Sequence, residues 1–213
     1  LTVLDCSKAF DTCKFSIMFA KLLETGLPAI VIRSMMHVYE EQYAWVKWGE
    51  AVSMRFPIIN GTRQGSVASP ALWCVYLDLL IKELMEIGLG CHVGGMYMGV
   101  VVYADDVLLM APNRAAMQVM LNKCEEYAAE NNIQFSTDPD PVKSKSKCIL
   151  VCGTKKNMVK PAPISLCGRD LPWVRTVSHL GHELHESGNM EHDASVKKAI
   201  FISQSVDVRQ TFH

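Results

Sequence analysis

An α+β fold is predicted from three observations. Strand-like and helical segments alternate along the 213 residues. Two of the most apolar segments meet across Ala104-Asp105-Asp106. A connection that short makes them an antiparallel hairpin, not a parallel crossover unit. Residues 1–4 form a short apolar run ending on Asp5 and read as a buried strand. Residues 15–24 and 28–39 carry helical periodicity, separated by Gly26-Leu27-Pro28, with glycine as the stop and proline in a first turn. Residues 43–48 and 52–57 flank Gly49-Glu50-Ala51 as a β-hairpin. A polar stretch, 59–69, precedes a long apolar helix over 70–87. The glycines at 88, 90, 94 and 95 lead into strands at 96–103 and 107–110. Asn113 caps a helix running to about Asn131, and Asp138-Pro139-Asp140-Pro141 is a turn. Residues 147–152, 164–167 and 171–174 are strand-like, and the tail from Met190 is helical.

Hydrophobic residues make up 49% of the chain, charged residues 20% and the mean hydropathy is +0.12, which excludes a disordered tail, a collagenous fibre and a charged linker. No uninterrupted apolar run is long enough for a transmembrane helix, because the richest, 96–111, is cut by Asp105 and Asp106. The chain opens on Leu1 in strand style, as expected of a fragment whose N-terminus lies upstream. Eight cysteines without a Cys-x-x-Cys pair read as reduced, buried thiols of an intracellular protein, with nucleus and cytoplasm not distinguished. The net charge is −1, yet residues 142–175 carry +7 and leave −8 for the remainder. That asymmetry fits either a phosphate-facing patch or a solvated loop.

The chemistry is expected where acids interrupt apolar strands. In Tyr103-Ala-Asp105-Asp106, two adjacent carboxylates sit at the hairpin between core strands. A solvated hairpin tip would explain an isolated Asp pair. Here the flanks are too apolar for that, and a carboxylate pair needs a shared proton or a cation to offset its repulsion. Asp5 repeats the pattern at the end of the first strand. If both strands share one sheet, Asp5 and Asp105 converge from about 100 residues apart, and oxygen ligands of this kind suit Mg²⁺. Two such ions would activate a 3′-hydroxyl and stabilise leaving pyrophosphate. Asp11 is expected to start the following helix. Gly61 and Gly65 allow close backbone approach to a ligand, with Arg63 and Gln64 as forked donors between them. His179, His182 and His185 recur every three residues; His182-Glu-Leu-His185 is one residue short of the H-E-x-x-H pattern, and a zinc site is not expected.

Taken together, Leu4-Asp5-Cys-Ser-Lys-Ala-Phe10-Asp11, Gly61-Thr-Arg-Gln-Gly65-Ser-Val-Ala-Ser-Pro70 and Tyr103-Ala-Asp-Asp106 resemble, in order and spacing, three palm motifs of the reverse transcriptases of non-LTR, LINE-type retrotransposons. The resemblance continues through the Lys143–Lys147 segment to Leu171-Pro-Trp-Val174 and His179-Leu-Gly181. It implies a right-hand polymerase palm, a ferredoxin-like core with an antiparallel sheet packed on helices. The palm, with a primer-grip-like hairpin, would occupy residues 1–184, and 185–213 would begin a thumb or form a tail. The fingers, most of the thumb and an endonuclease would lie in absent parts of a parent polyprotein. The resemblance further implies two Mg²⁺ ions, with Mn²⁺ as a substitute, held by Asp5, Asp105 and, more weakly, Asp106, with the Cys6 carbonyl completing one shell. Phe10 falls at the steric gate against a ribose 2′-hydroxyl, although without the motif core packing is the favoured reading. Arg63, Gln64 and Gly65 would border the incoming nucleotide and template base, and Tyr103 the primer end. Lys145, with Lys143 and Lys147 as alternatives, would protonate or screen pyrophosphate. Trp173 would pack beneath the primer grip. The partners implied are an RNA template, a DNA primer and deoxynucleoside triphosphates, with no membrane. The alternative is a non-catalytic remnant that folds as a palm without polymerising. A βαββαβ RNA-binding module is a weaker third reading, because acids stand where exposed aromatics would be needed.

Overall fold

A computed structural model describes residues 1–63, 65–138, 140, 142–152, 161–189 and 193–198. The chain begins with β1 (Thr2–Asp5), followed by α1 (Ala9–Thr12), α2 (Phe15–Glu24) and α3 (Ala29–Glu40). Four two-residue strands follow: β2 (Tyr43–Ala44), β3 (Lys47–Trp48), β4 (Ala51–Val52) and β5 (Phe56–Pro57). Then come the long α4 (Ser69–Ile87), β6 (His92–Val93), β7 (Met96–Tyr97), β8 (Val100–Tyr103), β9 (Asp106–Leu109) and α5 (Arg114–Glu130). The last strands are β10 (Lys147–Ile149), β11 (Ser165–Leu166), β12 (Arg169–Asp170), β13 (Trp173–Val174), β14 (Thr176–His179) and β15 (His182–His185).

The organising unit is a five-stranded sheet in the order β13-β10-β1-β9-β8. β1 lies at its centre, antiparallel to both β9 and β10. Side chains alternate across a strand, and the register therefore sorts the two faces. Leu4, Val107, Leu109 and Cys148 face a large core built with α2, α4 and α5. Val3, Leu108 and Ile149 face the other way, under Val177 of the β14–β15 hairpin. Asp5, on the same parity as Val3, and Asp106, on the parity of Leu108, thus share the hairpin-covered face.

Each helix follows from its local sequence. In α2, Met18, Phe19 and Leu22 recur at helical spacing and are buried. α4 has proline in its first turn and ends at Gly88, whose φ of 67° suits a left-handed cap. Its buried stripe runs through Leu72, Trp73, Tyr76, Leu77, Leu80 and Leu84. Asn113 caps α5 by accepting the Ala116 N–H at 2.9 Å.

Several expectations need correction. The sheet is mixed, because β10 and β13 pair in parallel, where a wholly antiparallel sheet was expected. The strand expected over 96–103 is broken into β7 and β8. Gly90 and Gly99 abut so tightly, beside the Tyr97 ring, that a Cβ on Gly99 would lie 2.3 Å from the ring's Cζ. The strands expected at 147–152, 164–167 and 171–174 shrink to two or three residues. Asp11 lies inside α1, and α2 starts after Lys14, so Asp11 does not cap it. Only Cys6, Cys13, Cys124 and Cys148 of the eight thiols are buried; Cys74 is exposed on the outer side of α4, and Cys152 and Cys167 are also exposed. Residues 193–198 are helical. Gln64, Lys155, Lys156, Lys160 and the remainder of the tail lie outside the described residues.

Candidate active site

Pairing places the three acids at one end of the sheet. Asp5 stands directly opposite Asp106 across the β1–β9 ladder, and Tyr103 opposite Asp106 across β8–β9. Asp105 occupies the two-residue turn between β8 and β9. The Cys6 N–H donates to its carbonyl at 3.2 Å, tying that turn to the chain just beyond β1. Ala104 is left-handed, with φ 52°, a strained conformation for a residue with a Cβ. The Trp73 indole N–H, from α4, donates to the Ala104 carbonyl at 2.6 Å and holds that turn. Asp5 is fixed through its backbone: its N–H donates to Ser146 Oγ at 3.3 Å, and its carbonyl accepts the Ser136 N–H at 2.8 Å.

The electrostatics are those of crowded acids with partial relief. Burial, then the neighbouring charge of Asp105, pushes the Asp106 carboxyl above its ordinary range; Asp5 adds to this, while His179 and Lys145 oppose it. Lys145 Nζ lies 3.6 Å from Asp5 Oδ1, with the lysine mostly exposed. Lys143 instead reaches Asp140 at 3.9 Å. A cavity of about 340 Å³ is lined by Asp5 and Asp106 together with Lys143, Lys145 and Lys147. The Cys6 thiol is driven far above the usual thiol range by burial and by the charges of Asp105 and Asp5, so it stays protonated and is no thiolate ligand.

A hard divalent cation fits this donor set. The group is all oxygen, its acids repel one another, and such an ion takes one or two carboxylates and fills the remaining positions with water and substrate phosphates. Among the described residues, however, no three His, Cys, Asp or Glu side chains, these acids included, are placed to hold one metal ion together, so in this arrangement at most two of the three acids share an ion.

The other expected residues are placed as follows. Phe10 packs on Trp73 with ring centroids 6.0 Å apart, and its carbonyl accepts the Thr62 N–H at 2.6 Å. Gly61 presses against the Phe10 and Asp11 backbone, where a Cβ would come within about 3.0 Å of the Phe10 carbonyl oxygen. That close approach, at φ +91°, is why glycine stands there. Arg63 and Gly65 follow in the same exposed loop. Tyr103 is 66% exposed. Trp173 sits in β13 and packs against the main core, its indole N–H without a partner. His182 contacts Asp193 at 3.0 Å, and His185 contacts Ser187 at 2.8 Å; His179 stands opposite His182 across the β14–β15 ladder.

The sequence reading did not foresee the place of two residues at the site. His179 is 8% exposed, and neither ring nitrogen has a hydrogen-bond partner. It shares with Val177 the inner side of β14, which brings it over the acid-bearing face. Trp73 looked like one more apolar residue of α4. Only the hairpin's approach to that helix turns its indole into an anchor.

Comparison with known proteins gives a concordant result. The family model described as reverse transcriptase (RNA-dependent DNA polymerase) matches residues 1–184. A Retrovirus-related Pol polyprotein from the type-2 retrotransposable element R2DM of Drosophila melanogaster is 27% identical over 135 residues, 63% of this chain and 13% of that protein. A Pol polyprotein from the type-1 retrotransposable element R2 of Nasonia vitripennis is 25% identical over 158 residues, 74% of this chain and 15% of that protein. The putative 115 kDa protein in the type-1 retrotransposable element R1DM of Drosophila melanogaster is 25% identical over 205 residues, 92% of this chain and 18% of that protein. The chain therefore spans less than a fifth of the length of these relatives. It belongs to the reverse transcriptase family, in the non-LTR, LINE-type group.

Proposed function

We propose that this member of the reverse transcriptase family is the palm of an RNA-directed DNA polymerase, which adds deoxynucleotides to a primer 3′-hydroxyl on an RNA template. The observation that carries the reading is the register that sets Asp5 opposite Asp106 with Asp105 in the adjoining turn. Asp5, Asp105 and Asp106 would hold two Mg²⁺ ions, or Mn²⁺ in their place, with the Cys6 carbonyl as a further oxygen. Bound there, the ions supply Lewis-acid activation of the hydroxyl and charge neutralisation at the leaving pyrophosphate.

The chain's own groups do the rest. The backbone ties at Asp5 and Asp105 pre-set the carboxylates, which saves reorganisation during reaction. Lys145 offers an ammonium beside Asp5 that can screen or protonate a phosphate leaving the site. Arg63, Gln64 and Gly65 border the nucleotide, Tyr103 the primer end, and Phe10 sits in the position of a gate against ribose. The last role is the least distinctive, because Phe10 also packs on Trp73. A folded palm that does not polymerise is the alternative.

Primer extension on an RNA template, run with the full open reading frame, separates the two. Asp105→Asn is expected to lower extension by roughly a hundredfold or more, the several kcal/mol that metal-held charge contributes. Extension at the unsubstituted rate rejects the carboxylate assignment, and no extension by the unsubstituted protein favours the remnant.

A further inference from the structure

A steric gate discriminates only if the wall that meets the extra hydroxyl cannot recede. The Phe10 main chain is held. Its carbonyl accepts the Thr62 N–H at 2.6 Å and the Thr62 hydroxyl at 3.3 Å, and Gly61 presses against it. The ring has no such tie and is only partly buried. It leans on Trp73, with centroids 6.0 Å apart and planes at 52°. Trp73 is 1% exposed and stacks in turn on Tyr76, at 5.8 Å and 12°. The Tyr76 hydroxyl donates to the Asn131 carbonyl at the end of α5 and accepts the Lys14 N–H at 3.4 Å. Phe10, Trp73 and Tyr76 thus form a row of rings from the gate into the core. Close-packed interiors have few voids and transmit strain, so Phe10 recedes only if α4 gives way.

The same indole also serves the acids. Its N–H donates to the Ala104 carbonyl at 2.6 Å, in the turn that carries Asp105. Gate and acid-bearing turn therefore meet on one buried side chain. From this juxtaposition, and resting on the polymerase reading above, we infer that Trp73 is a specificity-determining positioning residue. It backs Phe10 against a ribose 2′-hydroxyl and couples any yielding of the gate to the alignment of Asp105. A deoxyribose leaves Phe10 where Trp73 holds it, and the turn keeps its place. A ribose pushes the ring onto the indole, and the strain reaches the Ala104 carbonyl, which displaces the neighbouring acid. Rejection then falls on turnover as well as on binding. A difference of one small group is worth about 10–200-fold in a pocket of fixed shape, and a wall without its backing forfeits part of that.

Sugar preference is the readout, because a loss of stability alone does not move it. With the protein of the full open reading frame on an RNA template and a DNA primer, kcat/KM is measured for insertion of dATP and of ATP. Trp73→Leu, which removes both ring and donor, is expected to lower the preference for dATP about tenfold. Trp73→Phe keeps a ring behind Phe10 but loses the tie to Ala104. It should narrow the kcat ratio while leaving the KM ratio, and this split decides the matter should Trp73→Leu not fold. In a Phe10→Ala background Trp73→Leu should change the preference no further, as residues that act through one another are not additive. Tyr127→Phe removes a buried hydroxyl that bonds the Tyr76 carbonyl at 2.7 Å, and it should leave the preference unchanged. A preference that survives Trp73→Leu, an undiminished further loss in the Phe10→Ala background, or an equal fall in Tyr127→Phe overturns the assignment. Calorimetric titration of dATP and ATP into the complex with a dideoxy-terminated primer, in Ca²⁺, repeats the comparison without turnover. A protein that extends primers but fails these comparisons loses the role of Trp73 alone. One that never extends, yet loses its binding preference for dATP in Trp73→Leu, loses only the catalytic reading.

Discussion

Asp106 shows at the scale of one residue what crowding acids at one end of the sheet costs. Its carboxyl is pushed up by burial and by Asp105, so the folded chain holds that proton more tightly than the unfolded chain does. Such a group's contribution to stability is fully present below the unfolded pKa and is lost as pH rises through the folded one. At neutral pH the metal-free protein therefore carries an ionised Asp106 at a cost. Asp106→Asn should melt at a higher temperature than the unsubstituted chain at pH 7 in EDTA. That advantage should vanish below the ordinary carboxylate pKa of 3.8. Thermal melts at the two pH values check it, and an equal or lower melting temperature at pH 7 would mean that the acids are not crowded. The acid pattern was legible because carboxylates stand out against apolar strands. His179 was not, because its meaning lies in which side of β14 faces the sheet, and a two-sided hairpin carries no such label in its sequence.

Elements repeat that contrast between local and non-local information. α2, α4 and α5 were legible because periodicity, a first-turn proline and an Asn cap are all encoded within a few residues. The parallel β10–β13 pair was not, because nothing within either segment specifies its neighbour. The short strands β11 and β12 turn at Cys167 and Gly168, both of positive φ, which only their shared turn makes evident. The link between elements that matters most for the site runs from α4 to the β8–β9 turn, through one indole hydrogen bond. Trp73→Phe keeps a buried aromatic ring but removes the donor to the Ala104 carbonyl. A loss of about 2–3 kcal/mol is expected, shared between the hydrogen bond and the cavity that the smaller ring leaves in the core. Urea unfolding measures that loss. Primer extension should fall further than stability alone explains, because the same bond steadies the turn that carries Asp105. A stability loss with unchanged extension would limit Trp73 to packing.

For the molecule as a whole, the central fact is that the middle strand of the sheet comes from the start of the chain. β1 pairs with β9 about a hundred residues later and with β10 about 145 residues later. Pairings of such separation form late, because loop closure precedes any reward from the contacts. Four buried thiols sample this closure from different segments. Cys6 follows β1, Cys13 follows α1, Cys124 lies in α5, and Cys148 lies in β10 against the Thr2 hydroxyl at 3.3 Å. Burial pushes Cys13 and Cys124 up to about 12 and Cys148 to about 11, which suppresses the reactive thiolate as well as access. In the native protein, alkylation at pH 7.5 should label the exposed Cys74 and Cys152 first. The half-buried Cys91 should be slower, as should Cys167, whose thiol burial and Glu125 push up. The four core thiols should then react together, at one rate that rises with urea in step with loss of secondary structure. Mass spectrometry of the alkylated peptides resolves each site. If Cys148 and Cys6 react long before Cys124, the pairing of β10 with the central strand β1 opens independently of the helical core. The acids of β1 and β9 would then be assembled by a unit separable from the helical core.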